Sequence, residues 1–193
     1  MPLHAQNWRA ALWVVMSREP HAGVLKTAGL AGNAKDWTSA LTDVTVETCE
    51  AMGWRCAAKG HKLDILPEPK NEYLGMDAMA FVPTSATWPQ PVAVVELENS
   101  AREERVAYSL WKLLCVRAPL RILFCYCKDR KEAPLLVRHL KDHVLSSLPP
   151  ARAEAPGETV LAVGYRSSAE TFPYGFFRWW TMNENTRSFE LFD

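Results

Sequence analysis

Two amphipathic helices are predicted in the first quarter of the chain, because apolar residues recur there at intervals of three and four. The first spans residues 4–17, and its apolar face consists of Trp8, Ala11, Leu12 and Val15. The second spans residues 36–52, and its apolar face consists of Trp37, Leu41, Val44, Thr48 and Met52. Asp36 can cap the second helix and Gly53 can end it.

The pattern then changes to short apolar runs that are typical of β-strands. Strands are predicted over residues 54–66, 73–82 and 92–98, and Gly60 interrupts the first of them. Further along, the pattern predicts a helix over 101–117, a strand over 121–127, a helix over 133–148 and a strand over 160–165. Residues 149–158 have a linker-like composition, and residues 174–192 resemble an aromatic hairpin with a turn near 183–185.

This order of elements predicts an α/β protein. The helix between the third and fourth strands is a crossover, and crossovers of that kind join parallel strands. The first three strands follow one another without helices, so they are expected to form a meander. We therefore expect a single domain over residues 1–193, with a core over about 36–148 in which helices flank a mixed central sheet.

Composition adds few constraints. Hydrophobic residues make up 48% of the 193 residues, charged residues make up 23%, and the formal net charge is zero. The charge is uneven, however, because residues 105–141 carry nine Lys and Arg against two acids, a local charge of +7. Such a segment is a possible footprint for a polyanion, and solvated helix faces are the simpler explanation.

The cysteines and the apolar runs bear on location. The five cysteines are odd in number and lack CxxC or zinc spacing, which favours reduced thiols in the cytoplasm. The apolar run near the N-terminus lacks the flanks of a signal peptide, and no run reaches the length of a membrane span.

Three acids stand in or beside apolar strands. Glu96 and Glu98 are two residues apart at the end of the third strand, so they are expected to point to one face. Asp77 is the single charge in the second strand, and it would lie beside them if the two strands pair. Three converging carboxylates would suit Mg²⁺ or Mn²⁺, with Glu47 from the second helix as a fourth. The alternative is a salt bridge to Arg102 or Arg105.

These residues resemble a known motif. A helix, a three-stranded meander, a helix and a strand, with Asp77 in the second strand and Glu96 in the third, resemble the PD-(D/E)XK nuclease superfamily. Glu47 stands where many members carry a helix glutamate. The resemblance covers about residues 36–127 and implies a restriction-endonuclease-like αβββαβ core. It also implies hydrolysis of nucleic-acid phosphodiester bonds with Mg²⁺ or Mn²⁺, DNA being expected as substrate before RNA.

The chain departs from that motif at two positions. Met76 precedes Asp77 where the motif has proline, and Glu98 stands where it has lysine. In some members of the superfamily the lysine has moved to the following helix, which offers three candidates on this chain. Lys112, Arg105 and Arg102 are those candidates, and Lys62 on the first strand is another. We expect Arg105, about two turns into the helix, to lie level with Glu96.

The predicted site residues are therefore Asp77, Glu96 and Glu98 as metal ligands, with Glu47, Arg105 and Lys112 assisting. The rival hypothesis is a catalytically inactive nuclease-fold protein that binds nucleic acid or a protein partner. The tail aromatics Phe176, Phe177, Trp179 and Trp180 are expected to stack on bases, to complete the sheet or to form a homodimer interface. Tyr108 and Trp111 are expected to pack under that tail, with ligand contact as the alternative.

Overall fold

A computed structural model describes residues 4–148 and 157–192. It contains five α-helices and seven β-strands in these residues. The helices are α1 His4–Met16, α2 His21–Leu30, α3 Ala34–Ala51, α4 Glu103–Cys115 and α5 Ala133–His143. The strands are β1 Arg55–Ala58, β2 Ala78–Phe81, β3 Ala93–Leu97, β4 Leu120–Cys127, β5 Glu158–Tyr165, β6 Phe177–Asn183 and β7 Ser188–Leu191. Most of the predicted linker, residues 149–156, lies outside the described residues.

All seven strands form one sheet in which spatial order follows chain order. The pairs β1–β2 and β2–β3 are antiparallel, β3–β4 and β4–β5 are parallel, and the last two pairs are antiparallel again. The parallel strands are joined through α4 and α5, as crossover connections require. The predicted mixed sheet is therefore confirmed. The run α3–β1–β2–β3–α4–β4 has the order of the restriction-endonuclease-like core.

Helices cover both faces of the sheet. Alternate residues of β3 and β4 point to opposite sides, so Val95 and Ile122 pack with α1 and α3, whereas Val94 and Leu123 pack with α4 and α5. Every residue of β4 is buried, which explains why its sequence, LRILFCYC, is a nearly continuous apolar run. The helix α4 thus covers the same face as the even-numbered residues of β3.

Local chemistry sets several element boundaries differently from the sequence prediction. Asn33, and not Asp36, caps α3, because its side chain accepts a hydrogen bond from the Asp36 N–H at 3.2 Å. Gly60, at φ +84°, ends the predicted first strand early. The second strand begins only at Ala78, because Tyr73–Gly75 form a 3-10 turn. The helix α2 was not predicted.

The remaining boundaries before the tail lie within two residues of the pattern, except that α5 ends at His143, where the prediction ran to residue 148 and a 3-10 turn follows instead. The tail is a hairpin of β6 and β7, as predicted, and it extends the sheet. Cys125 and Cys127 lie on one face of β4, and both are buried thiols, as are Cys49 and Cys56. No helix within residues 4–148 and 157–192 has the length and apolar character needed to cross a bilayer.

Leu41 tests the packing of α3 on the sheet. Its side chain is fully buried, so Leu41→Ala should lower the free energy of unfolding by about 2–5 kcal/mol. Leu135→Ala is the matched control, because Leu135 is an exposed helical leucine and its loss should cost within about 0.5 kcal/mol. Urea denaturation measures both values. Similar losses in the two variants would contradict this packing.

Candidate active site

The register of β2 and β3 brings two acids face to face. Ala78 pairs with Val95 and Met79 with Val94, so Asp77 stands opposite Glu96 at the next position of the antiparallel ladder. Both side chains share the face of Met79 and Val94, which α4 and α5 cover. The sequence prediction that Asp77 and Glu96 lie side by side agrees with this register.

Hydrogen bonds to the backbone hold the two acids in place. The Leu97 N–H donates to Asp77 Oδ2 at 2.7 Å, and the Asp77 N–H donates to Glu96 Oε1 at 3.4 Å. Each strand therefore supplies an N–H to the acid of the other strand. Because both strands are rigid parts of the sheet, the carboxylates are fixed before any ligand arrives.

Lys112 supplies the positive charge of this site. Its Nζ lies 2.8 Å from Glu96 Oε1 and donates to the Gly75 carbonyl at 2.7 Å. The Glu96 side chain is only 5% exposed, whereas that of Lys112 is 23% exposed. The ammonium therefore stands between a buried carboxylate and solvent.

Burial controls the protonation of both acids. Burial raises the pKa of Glu96 to about 7, against the hydrogen bond from Lys112, and repulsion by Asp77 adds to the rise. Burial also raises the pKa of Asp77, opposed by the Leu97 N–H and by Lys112. The Glu96 carboxyl therefore takes up a proton at a higher pH than an exposed glutamate does. The proton compensates negative charge that Lys112 alone does not balance.

The structure distinguishes among the predicted basic residues. Lys112 reaches Glu96, and the expectation that Arg105 would be the residue level with Glu96 is corrected. Arg105 is exposed on the first turn of α4, and Arg102 is exposed and lies 3.8 Å from Glu104. Lys62 is also exposed, beyond the end of β1. Arg105 was expected from its position along the helix axis alone. That position does not decide the contact, because the apolar face of α4 fixes the rotation of the helix and directs Lys112 toward the strands.

Glu98 does not join the acid pair. The strand β3 ends at Leu97, and the Glu98 carboxylate accepts a hydrogen bond from the Ser100 N–H at 2.6 Å. The Glu98 N–H still donates to the Phe124 carbonyl at 2.9 Å, and the Glu98 charge adds to the rise in the pKa of Asp77. The Glu98 carboxylate itself, however, is held by the chain that follows β3. The three-carboxylate cluster is therefore corrected to a pair. Across the described ranges, no group of three or more His, Cys, Asp or Glu could hold a metal ion.

Glu47 also lies away from the pair. It belongs to α3, which packs on the opposite face of the sheet, and its Oε1 is 2.9 Å from His21 Nε2. The helical wheel placed Glu47 at the edge of an apolar face, but it does not tell which face of the sheet that helix covers. The structure thus assigns Glu47 to a contact between α2 and α3.

Sequence reasoning missed one participant, the carbonyl of Gly75. Gly75 has φ +65° and follows Leu74, which has φ +54°, so this turn depends on a left-handed backbone. The turn directs the Gly75 carbonyl to Lys112 just before the chain enters β2. A glycine two residues before Asp77 was the available signal.

The aromatic residues are arranged differently from expectation. Phe176 and Trp180 are buried, and Phe177 and Trp179 are half-buried and pack against the core, so the tail aromatics complete the sheet. Tyr108 and Trp111 do not pack under the tail. They are exposed on α4, and their rings stack with centroids 5.9 Å apart.

Comparisons with known proteins add one similarity. No protein-family model matches the chain, and no curated protein does. Among solved structures, the chain is similar to NucC from E. coli MS115-1 in its cAAA-bound form. The identity is 12%, the TM-score is 0.47, and the match covers 98% of this chain and 82% of NucC. At that TM-score, the description of the fold rests on the chain's own topology.

The raised pKa of Glu96 predicts a specific pH dependence of stability. The folded protein holds a proton on Glu96 up to about pH 7, whereas the unfolded chain releases it near 4.5. The free energy of unfolding should therefore fall as pH rises from about 4.5 to about 7. This contribution is at most about 3 kcal/mol, since one pKa unit corresponds to about 1.4 kcal/mol.

Glu96→Gln isolates that contribution, because glutamine keeps the shape and does not titrate. We expect the stability of the variant, relative to the wild type, to increase between pH 4.5 and pH 7 in urea denaturation. A stability difference that stays constant across this range would contradict the raised pKa.

Proposed function

We propose that this protein is a metal-dependent nuclease that hydrolyses phosphodiester bonds of nucleic acid, with DNA preferred to RNA. The observation that carries this proposal is the convergence of Asp77, Glu96 and Lys112. The buried Glu96 in β3 and the half-buried Asp77 just before β2 stand opposite each other, and an ammonium from the next helix contacts Glu96. A purely structural salt bridge would need only one of the two acids.

The acid pair fits Mg²⁺ or Mn²⁺. These hard cations take carboxylate oxygens, and Mg²⁺ is commonly held by one or two carboxylates with water completing its shell. With both acids ionised, the pair carries two negative charges against one on Lys112, which leaves a negative charge for a cation to balance. Asp77 and Glu96 would hold the ion. A bound ion would polarise a phosphoryl oxygen and lower the pKa of a coordinated water.

In this proposal Lys112 has the role of the lysine that the PD-(D/E)XK motif carries at the position of Glu98. Its ammonium is fixed by the Gly75 carbonyl and remains partly exposed, so it can also contact a phosphate at the mouth of the site. A fixed positive charge stabilises the negative charge that develops on the phosphate during hydrolysis. This assignment accounts for Glu98 at the motif position, because the lysine comes from α4.

The local charge supports a polyanionic substrate. The basic segment, residues 105–141, contains α4, β4 and the first part of α5. Both helices lie on the face of the sheet that carries the acid pair. One member, Arg121, is buried in β4, so the solvent-facing excess is +6 and not +7. The preference for DNA rests on the resemblance to PD-(D/E)XK nucleases.

The inactive binding module is the second candidate, and one observation favours it. Each acid already has protein partners, since Leu97 N–H serves Asp77 and Lys112 serves Glu96. A site satisfied in this way can persist without a metal. In that case the same face of the molecule would bind nucleic acid or a protein without cutting.

Location and assembly remain part of the proposal. Buried thiols at Cys49, Cys56, Cys125 and Cys127 suit a reducing compartment such as the cytoplasm. The strand β7 is an edge of the sheet, and edge strands offer unpaired backbone groups to a second chain. A homodimer through the tail hairpin would use that edge.

The first test is cleavage of plasmid and oligonucleotide DNA with Mg²⁺ or Mn²⁺. The wild type should cut, and Glu96→Ala should be inactive. Lys112→Ala should lower the rate by about 100-fold or more, as the loss of a charge-stabilising donor does. Arg105→Ala is the matched basic variant on the same helix, and it should stay within a few fold of the wild type. A wild type that cuts neither single-stranded nor double-stranded nucleic acid would establish the binding module instead.

The second test measures metal binding without catalysis. Mn²⁺ at 100 times its dissociation constant should stabilise the fold by about 2.7 kcal/mol, which raises the melting temperature by several degrees. Asp77→Asn should keep or increase metal-free stability, because it relieves repulsion and keeps an oxygen for the Leu97 N–H, and it should abolish the response to Mn²⁺. Asp142→Asn, an exposed change on α5, should respond like the wild type. Strong destabilisation by Asp77→Asn would identify a structural ion pair.

A further inference from the structure

Three large apolar residues are exposed around Lys112. Leu74 is 75% exposed, Tyr108 60% and Trp111 48%. The rings of Tyr108 and Trp111 are nearly parallel, with an angle of 29° and centroids 5.9 Å apart. We call Tyr108 and Trp111 the aromatic platform. Large exposed aromatic residues that adjoin one another commonly mark a binding surface.

The aromatic platform adjoins Lys112 on α4. At 100° per residue, Tyr108, Trp111 and Lys112 lie on one side of α4, away from the buried Val106, Leu110 and Leu113. Tyr108 is one helical turn before Lys112, and Trp111 is its neighbour in sequence. Because Lys112 Nζ contacts Glu96, the platform adjoins the residue that supplies the ammonium of the site.

Leu74 precedes the residue that anchors Lys112. It belongs to the turn whose next residue, Gly75, accepts the hydrogen bond from Lys112. Leu74 combines a positive φ of 54° with near-complete exposure, although leucine is disfavoured in that backbone region. Neither packing nor backbone preference explains an exposed leucine there, and strained positions of this kind concentrate at binding sites.

We propose that the aromatic platform stacks on an unpaired base of a nucleic-acid strand whose phosphate lies at Lys112. This inference rests on the proposed function and specifies its substrate as nucleic acid with single-stranded character. Stacking needs a flat aromatic surface beside a cation that receives the phosphate, and Tyr108, Trp111 and Lys112 supply both. A base within a duplex has its faces covered by its neighbours, so the platform selects unpaired bases.

The test measures binding apart from cleavage. Fluorescence anisotropy in EDTA compares a labelled single-stranded oligonucleotide with a counterpart that has the same phosphates and abasic sugars. Replacing Tyr108 and Trp111 together by alanine should weaken binding of the normal oligonucleotide about tenfold or more. Binding of the abasic one should be nearly unchanged. The single variant Trp111→Phe leaves Tyr108 intact and keeps a ring at position 111. It should therefore retain most of the wild-type affinity.

Trp88→Ala is the matched control. Trp88 is 66% exposed, but its loop joins the end of β2 to the start of β3, at the opposite end of these strands from Asp77 and Glu96. It should bind both oligonucleotides like the wild type. Melting temperatures and light scattering on all variants check folding and assembly.

The outcomes separate this inference from the proposed function. Equal loss for normal and abasic oligonucleotides, or no loss, would overturn the aromatic platform even in an active nuclease. A wild-type dimer that the double variant converts to monomers would overturn it too, because the platform would then be a contact between two copies. A wild type that never cuts, but whose base-dependent affinity is lost in the double variant, would sustain the platform and reject the nuclease.

Discussion

The arrangement of the site depends on the burial of the Glu96 carboxylate beside Asp77. Two carboxylates on adjacent strands and under a helix lose much of their hydration, and ionised groups in that environment need a positive partner. Lys112 provides one charge, and burial together with repulsion by Asp77 still raises the pKa of Glu96. The site therefore takes up a proton near neutral pH. A metal ion could offset the same negative charge in place of that proton.

The strands β2 and β3 position the two acids of this site, and the helix α4 positions Lys112. The strand β2 begins and the strand β3 ends at this edge, so the two acids lie where the ladder between them stops. The apolar residues Leu110 and Leu113 fix the rotation of α4 on the sheet, and this rotation determines where Lys112 points. The rotation of α4 thus brings the Lys112 ammonium to Glu96 and leaves the aromatic platform exposed to solvent.

Part of this arrangement was predictable from the sequence. The run VAVVEL identified β3, and the absence of a helix between β2 and β3 implied an antiparallel pair, so Asp77 and Glu96 were expected to meet. The choice between Arg105 and Lys112 was not predictable, because it depends on where α4 begins and how it rotates. The place of Glu98 was not predictable because its carboxylate binds the Ser100 N–H, and that of Glu47 was not predictable because a helical wheel does not specify a sheet face. The helix α2 was missed since Gly23 and Gly29 lower its helix propensity.

The position of the lysine has a consequence for how the site is built. A strand lysine two residues after Glu96 would be fixed by the same ladder as the acids, whereas Lys112 is attached to a helix and reaches the site through a long flexible side chain. Its contact with the Gly75 carbonyl compensates for that freedom by giving the ammonium a second anchor. That anchor depends on the left-handed turn at Leu74 and Gly75, so an unfavourable backbone conformation positions the only cation that contacts Glu96 among the described residues. The turn also leaves Leu74 in solvent beside Lys112. The charge balance of the acid pair and the apolar surface around it therefore share one local cause.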